Sequence, residues 1–146
     1  MSRTETIGVA CPQCAHRQEM TLWYSVNASV SPKAKAAILQ DDLHVFRCQA
    51  CDAKAVMDVG FMYHDMELEF CVLYCPPSSL DDPSSFDQFT PDGGLNLQEI
   101  PGFPYPSCLK RPHIVFDLDE MRRYILFRDR LAQHLATRCG SERNID

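Results

Sequence analysis

The chain has 146 residues, 45% hydrophobic and 23% charged, and its 20 Asp and Glu against 14 Lys and Arg give a formal net charge of −6. A soluble domain of this size buries roughly 68–70% of its unfolded surface and needs no metal to build a core. No segment approaches the roughly 18 apolar residues of a membrane helix, and the negative balance disfavours non-specific nucleic-acid binding.

The N-terminal residues Met1-Ser2-Arg3-Thr4-Glu5-Thr6 lack the apolar run of a secretory signal. The eight cysteines are therefore expected to be thiols of a cytoplasmic, reducing compartment rather than a disulfide framework. The first pair, Cys11-Pro12-Gln13-Cys14, has the spacing of a zinc knuckle, in which two intervening residues let both sulfurs converge on one ion at about 2.3 Å. Met20, Leu22, Tyr24, Val26, Ala28 and Val30 then alternate with polar residues other than Trp23, the period-two pattern of a half-buried strand. Ser31-Pro32 followed by Lys33 to Leu39 predicts a short helix, with Ser31 as its cap and Pro32 in its first position.

A second pair, Cys48-Gln49-Ala50-Cys51, follows at a fixed offset of 37 residues, at which Arg17 and Met20 also align with Lys54 and Met57. Each half reads as strand, knuckle, strand. The 33 residues between Cys14 and Cys48 exceed the ~15–20 of a simple ribbon, but closure cost grows only with the logarithm of length, so the inserted helix is tolerated. One intramolecular four-cysteine site is preferred to two half-sites bridging a dimer; a homo-oligomer remains compatible with the sequence. A redox role for these pairs is disfavoured, because thioredoxin-type chemistry wants the motif at a helix N-terminus and a strand is predicted after Cys14.

Beyond the second knuckle, one strand is predicted over 55–61 with a bend at Gly60, and another over 66–74, where Met66, Leu68, Phe70, Val72 and Tyr74 alternate. Residues 75–110 form a long loop rich in Pro, Ser, Asp and Gly, but Phe86, Phe89, Leu95, Leu97, Ile100, Phe103 and Tyr105 argue that it is pinned onto the core. Asp117-Leu118-Asp119-Glu120 then opens an amphipathic helix expected over 117–139.

Several other residues invite a role. Cys71 and Cys75, with Cys108, His134 or Cys139, could outline a second metal site. On an extended strand, however, residues four apart stand about 13 Å from each other, so these cysteines are read as small hydrophobes. His64 and Asp65 are the candidate acid–base pair, weighed against a histidine that merely finishes a strand end. There is no Lys or Arg between Lys54 and Lys110, where Asp58, Asp65, Glu67, Glu69, Asp81, Asp82, Asp87, Asp92 and Glu99 lie; from Lys110 onward eight basic residues face six acidic ones. The acidic stretch is a solvated face or a docking surface for a basic protein. Arg122, Arg123 and Arg130 share an arc of the terminal helix with Asp119, a weak basis for nucleic-acid binding.

With both knuckles, the strand after the first and the run Tyr63-His64-Asp65-Met66 in view, residues 5–130 resemble the bacterial CpXC domain family, named for paired Cys-Pro-x-Cys motifs. Cys11-Pro12-Gln13-Cys14 fits that motif throughout, while the second pair keeps its cysteines and has Gln49 in place of proline. The resemblance implies zinc binding without implying an activity. Ala15 and Asp52 stand where knuckles often use glycine, at a cost of roughly 1 kcal/mol for Ala in a left-handed conformation, small beside the ~10–16 kcal/mol of structural zinc binding.

The expectation is a single α+β domain over residues 1–146: a zinc-ribbon-like pair of knuckles, a mostly antiparallel sheet, a short inserted helix, a long loop and a C-terminal helix on the sheet. One structural Zn²⁺ per chain is expected on Cys11, Cys14, Cys48 and Cys51. The four thiolates and the ion bring the charge to about −8 and leave the metal no open position for catalysis. The function expected is a non-catalytic protein-interaction module. The alternatives are an enzyme or small-ligand protein centred on His64, Asp65 and the long loop and, less favoured, nucleic-acid binding.

Overall fold

In a computed structural model, residues 1–141 are described. β1 (Arg3–Ala10) and β2 (Arg17–Asn27) form a long antiparallel ribbon with the first knuckle at its turn. β2 stops at Asn27, three residues short of the alternating pattern, because the Asn27 carboxamide accepts the Ser29 N–H at 3.0 Å and its carbonyl accepts those of Val30 and Ser31. Helix α1 (Pro32–Leu39) follows with Pro32 in its first turn. Ser31 does not cap it; its hydroxyl is bound to that of Ser2 at 2.8 Å.

The strand expected over 55–61 is two separate pieces. β3 (Val45–Arg47) and β4 (Lys54–Val56) make a small antiparallel sheet with the second knuckle at its turn, and β5 (Phe61–Asp65) joins β2 in the main sheet. Gly60 marks the passage between them, where a Cβ would meet the Tyr74 carbonyl and the Pro76 ring at 3.1 Å. The alternation over 66–74 is likewise divided. Residues 66–69 turn the hairpin, with Asp65 Oδ1 accepting the Glu67 and Leu68 N–H groups and Glu69 at φ 53°, and β6 (Phe70–Tyr74) begins only afterwards.

The main sheet runs β1-β2-β5-β6-β7, where β7 is His113–Val115, a strand the sequence reading did not anticipate. Most of its paired length is antiparallel, yet β2–β5 and β6–β7 are parallel. Parallel neighbours require a chain crossover. The first crossover contains α1 and the β3–β4 ribbon. The second is the long loop, which carries two 3-10 helices (Pro77–Asp81 and Pro83–Gln88) and the single-turn helix α2 (Ser107–Lys110). Its ends are anchored, Cys75 N–H reaching the Val115 carbonyl and Cys108 lying against β6, but the apolar residues expected to pin it do not bury: Phe86, Ile100 and Phe103 are exposed, and Phe89, Leu95, Leu97 and Tyr105 are only half-buried.

The core lies on one face of this sheet. Val26, Phe61, Tyr63, Phe70, Val72, Tyr74 and Val115 meet Ala34 and Ile38 of α1 and Met121 and Ile125 of α3 (Leu118–Ser141). The long loop approaches β6 from the other side, which is why every residue of that strand is buried and its sequence hardly alternates. Asp117 caps α3 as expected, its carboxylate accepting the Asp119 and Glu120 N–H groups. Lys35 and Asp129, 2.8 Å apart, join α1 to α3. Only the first half of α3 is packed, for Met121 and Ile125 are fully buried whereas Phe127 and Leu135 are 57% and 51% exposed.

Ile125→Ala should therefore cost about 2–5 kcal/mol of stability, whereas Leu135→Ala should stay within about 0.5 kcal/mol. Urea denaturation of the two variants checks this, and equal losses would contradict the half-packed helix.

Candidate metal centre

The two knuckles fold alike. Cys11 N–H bonds the His16 carbonyl at 2.8 Å and Ala15 N–H the Cys11 carbonyl at 2.9 Å; 37 residues on, Cys48 N–H bonds Ala53 at 2.8 Å and Asp52 N–H bonds Cys48 at 3.0 Å. Ala15 and Asp52 take the left-handed conformation, at φ 62° and 59°. Each turn then aims a backbone amide at its first sulfur, from Gln13 to Cys11 Sγ and from Ala50 to Cys48 Sγ, both at 3.4 Å.

Between the knuckles, Cys11 and Cys51 Sγ lie 3.6 Å apart, as do those of Cys14 and Cys48. All four ligand atoms fall within 4.8 Å of one another. A tetrahedron of sulfurs at about 2.3 Å from a central ion has edges of about 3.8 Å, so these residues fit a metal ion. A second small core of Phe46 and Ala53, with Val9, Met20 and Ala55 against it, encloses Cys11 and Cys48, while Cys14 and Cys51 face solvent.

The chemistry of the donor set points the same way. The Cys14 and Gln13 backbone N–H groups draw the Cys11 thiol well below its ordinary range, to about 6. At Cys51 the Ala53 N–H pulls downward, but partial desolvation against the facing knuckle and the other three thiols outweigh it and push the group up to about 12. Four sulfurs this close cannot all ionise without a cation among them.

Gln18, on β2, was not visible as part of the site in the sequence. Its Nε2 donates to the Arg47 carbonyl at 2.8 Å and its Oε1 accepts the Gln49 N–H at 2.9 Å, so one side chain ties the two knuckles together. Gln49 stands where the paired motif would have proline. A proline there has no N–H to offer Gln18. Residues 9–137 match the family described as CpXC protein. The chain belongs to the CpXC protein family. No curated protein and no solved structure matches it.

Elsewhere in this CpXC chain the geometry separates residues that the sequence placed side by side. His64 and Asp65 are consecutive on β5 and point to opposite faces. The Asp65 carboxylate is committed to the hairpin turn, and buried His64 Nδ1 has no partner. Of the remaining cysteines, Cys71 and Cys108 come together, with sulfurs 3.1 Å apart. Among the described residues, the four knuckle cysteines are the one group of three or more ligands assembled for a metal.

A histidine without any sequence signal proves central. His44, buried against Phe61, accepts the Trp23 N–H on Nε2 at 3.0 Å and lines a cavity of about 370 Å³ with Leu43, Tyr74, Phe116 and Asp117. Arg122 of the expected basic stripe is engaged by Asp119 and faces Asp41 at 3.8 Å. No described helix is long and apolar enough to cross a membrane.

Removal of the metal by a chelator, or Cys14→Ser, should unfold the knuckles and the β3–β4 ribbon and leave the larger core protected. Hydrogen exchange would show this as fast exchange over 9–20 and 45–57 with slow exchange kept in β5 and β6, and uniform exchange of the whole chain would refute it. Gln49→Pro should keep the metal but speed exchange at Arg47 and in the knuckles.

Burial lowers the pKa of both His44 and His64. The unfolded chain then binds more protons than the folded one near the free-histidine pKa of ~6.5, so stability is lost as pH falls through that region and regained as it rises. Urea midpoints between pH 7.5 and 5.5 should fall, and by less in His64→Gln than in the unsubstituted protein.

Proposed function

We propose that this CpXC protein is a non-catalytic interaction module built around one structural Zn²⁺ per chain and working in the reducing cytoplasm. Tetrahedral four-thiolate coordination suits Zn²⁺, the common ion of structural sites built from two such knuckles. With every position filled by sulfur, the ion keeps no place for water or substrate, so its contribution is to hold the two knuckles.

The observation that carries the interaction reading is the surface of the second crossover. Phe103 is 73% exposed, Ile100 55% and Phe86 52%, beside the exposed acids Asp81, Asp87 and Glu99, in a stretch without one Lys or Arg. Some acids of the stretch are internal partners: Asp58 accepts the Tyr74 and Ser78 hydroxyls, and Asp92 pairs with Arg111. What is left outward suits an apolar and basic segment of another protein. A second reading, binding of a small ligand, rests on the cavity beside His44 rather than on His64 and Asp65. Nucleic-acid binding is the least supported, since Arg122 is occupied by carboxylates.

The test compares proteins captured from the native cell by the unsubstituted chain and by one carrying Phe86→Ser, Phe103→Ser, Asp81→Asn and Asp87→Asn. A partner of the crossover should be lost from the variant by tenfold or more, equivalent to about 1.4 kcal/mol, with metal content and thermal midpoint unchanged. An identical set of captured proteins would reject this surface, and a metal-to-protein ratio other than one zinc per chain would reject the structural role.

A further inference from the structure

We propose that Cys71 and Cys108 form a redox dithiol site, which an anionic low-molecular-weight disulfide converts to a disulfide that fastens the second crossover to the sheet. The two sulfurs are 3.1 Å apart across 37 residues of sequence, so the fold has already met the cost of closing that loop. No third ligand joins them among the described residues, which separates this pair from a metal site.

The two thiols differ in a way that orders the chemistry. Cys71 is buried in β6, and burial together with the neighbouring Cys108 sulfur holds it far above the ordinary thiol range. Cys108, in α2, is half-exposed. Both line a depression of about 360 Å³ with Glu69, Arg111, His113 and Arg128. Arg111 is matched by Asp92, but Arg128 donates to the Leu68 carbonyl and lies over the Phe70 ring, with no carboxylate partner among the described residues. Its charge favours an anionic reagent at the depression.

The Cys108 thiolate attacks one sulfur of the reagent R–S–S–R, forming Cys108–S–S–R and releasing R–S⁻. Cys71 then attacks Cys108 Sγ, its proton passing to the departing sulfur, so that R–SH leaves and the Cys71–Cys108 bond forms. Two electrons have moved from the protein thiols to the reagent, which ends as two thiols.

The probe is glutathione disulfide on the metal-replete full chain, followed by alkylation and digestion after glutamate. Cuts at Glu69, Glu99 and Glu120 place Cys71 and Cys75 on peptide 70–99 and Cys108 on peptide 100–120. The expected result is these two peptides bridged, two glutathione thiols released per chain, the metal retained, and proteolysis within 76–106 slowed several-fold. Cys75→Ser should keep the bridge, and Cys71→Ser should stop at glutathione on Cys108. Cys108→Ala, at a half-exposed position that tolerates truncation, should abolish both. A lasting glutathione adduct on Cys108 of the unsubstituted chain, a bridge to Cys75 or to a knuckle cysteine, metal loss before bridging, or no reaction would each overturn the proposal.

Discussion

Two short parallel ladders, β2 with β5 and β6 with β7, govern the rest of the molecule. Each is only three residue pairs long, yet neither can be closed by a hairpin, so the chain must leave the sheet and return. The first departure carries α1 across the core face and brings the second knuckle beside the first. The second departure runs from Cys75 to Pro112 and approaches β6 from the opposite side. A fully antiparallel meander of the same strands would need neither excursion, and would have no route by which the second knuckle reached the first.

The knuckle pair then supplies what the main core does not. Phe46 and Ala53 enclose Cys11 and Cys48 in a cluster separate from the one around Tyr63 and Val72. Apart from the metal ligands, its buried members are one aromatic and one alanine, too little apolar surface to hold a three-residue ribbon in place. The amide–sulfur contacts and the Gln18 clamp take over part of that task, and the four sulfurs are placed so that a metal ion could take the rest. Gln49 illustrates the economy: replacing the stiffening proline of the paired motif frees an N–H that Gln18 uses to join the halves.

What the sequence made legible follows from how local each signal was. The spacing of Cys11, Cys14, Cys48 and Cys51, the 37-residue echo, Pro32 and Asp117 are short-range features, and the structure keeps all of them. Strand boundaries fared worse where one alternating run served two structures. Met66 and Leu68 continue the pattern of Phe70 and Val72, but Asp65 takes two backbone N–H groups and forces a turn there. β7 was invisible because three residues carry no periodicity, and its place is set by β6 alone. His44 and Gln18 act through backbone partners 21 and 29 residues away, a pairing no local pattern encodes.

The same argument explains why Cys71, read as a small hydrophobe and buried as one, gave no sign in the sequence of its neighbour Cys108. On its own strand, the nearest cysteine is four residues off and out of reach, so reasoning within the strand ends with an inert thiol. The partner comes instead from the far end of the crossover, where α2 returns the chain to β6 just before β7 pairs with it. A segment that must come back to the sheet next to the strand it left brings its last helical turn against that strand. Cys108 sits in that turn. The juxtaposition of the two thiols is thus a consequence of the β6–β7 ladder, in the same way that the meeting of the knuckles is a consequence of the β2–β5 ladder. The two cysteine clusters differ in what surrounds the sulfurs: four donors around a space sized for an ion in one case, and two donors beside Arg128, which has no carboxylate partner among the described residues, in the other.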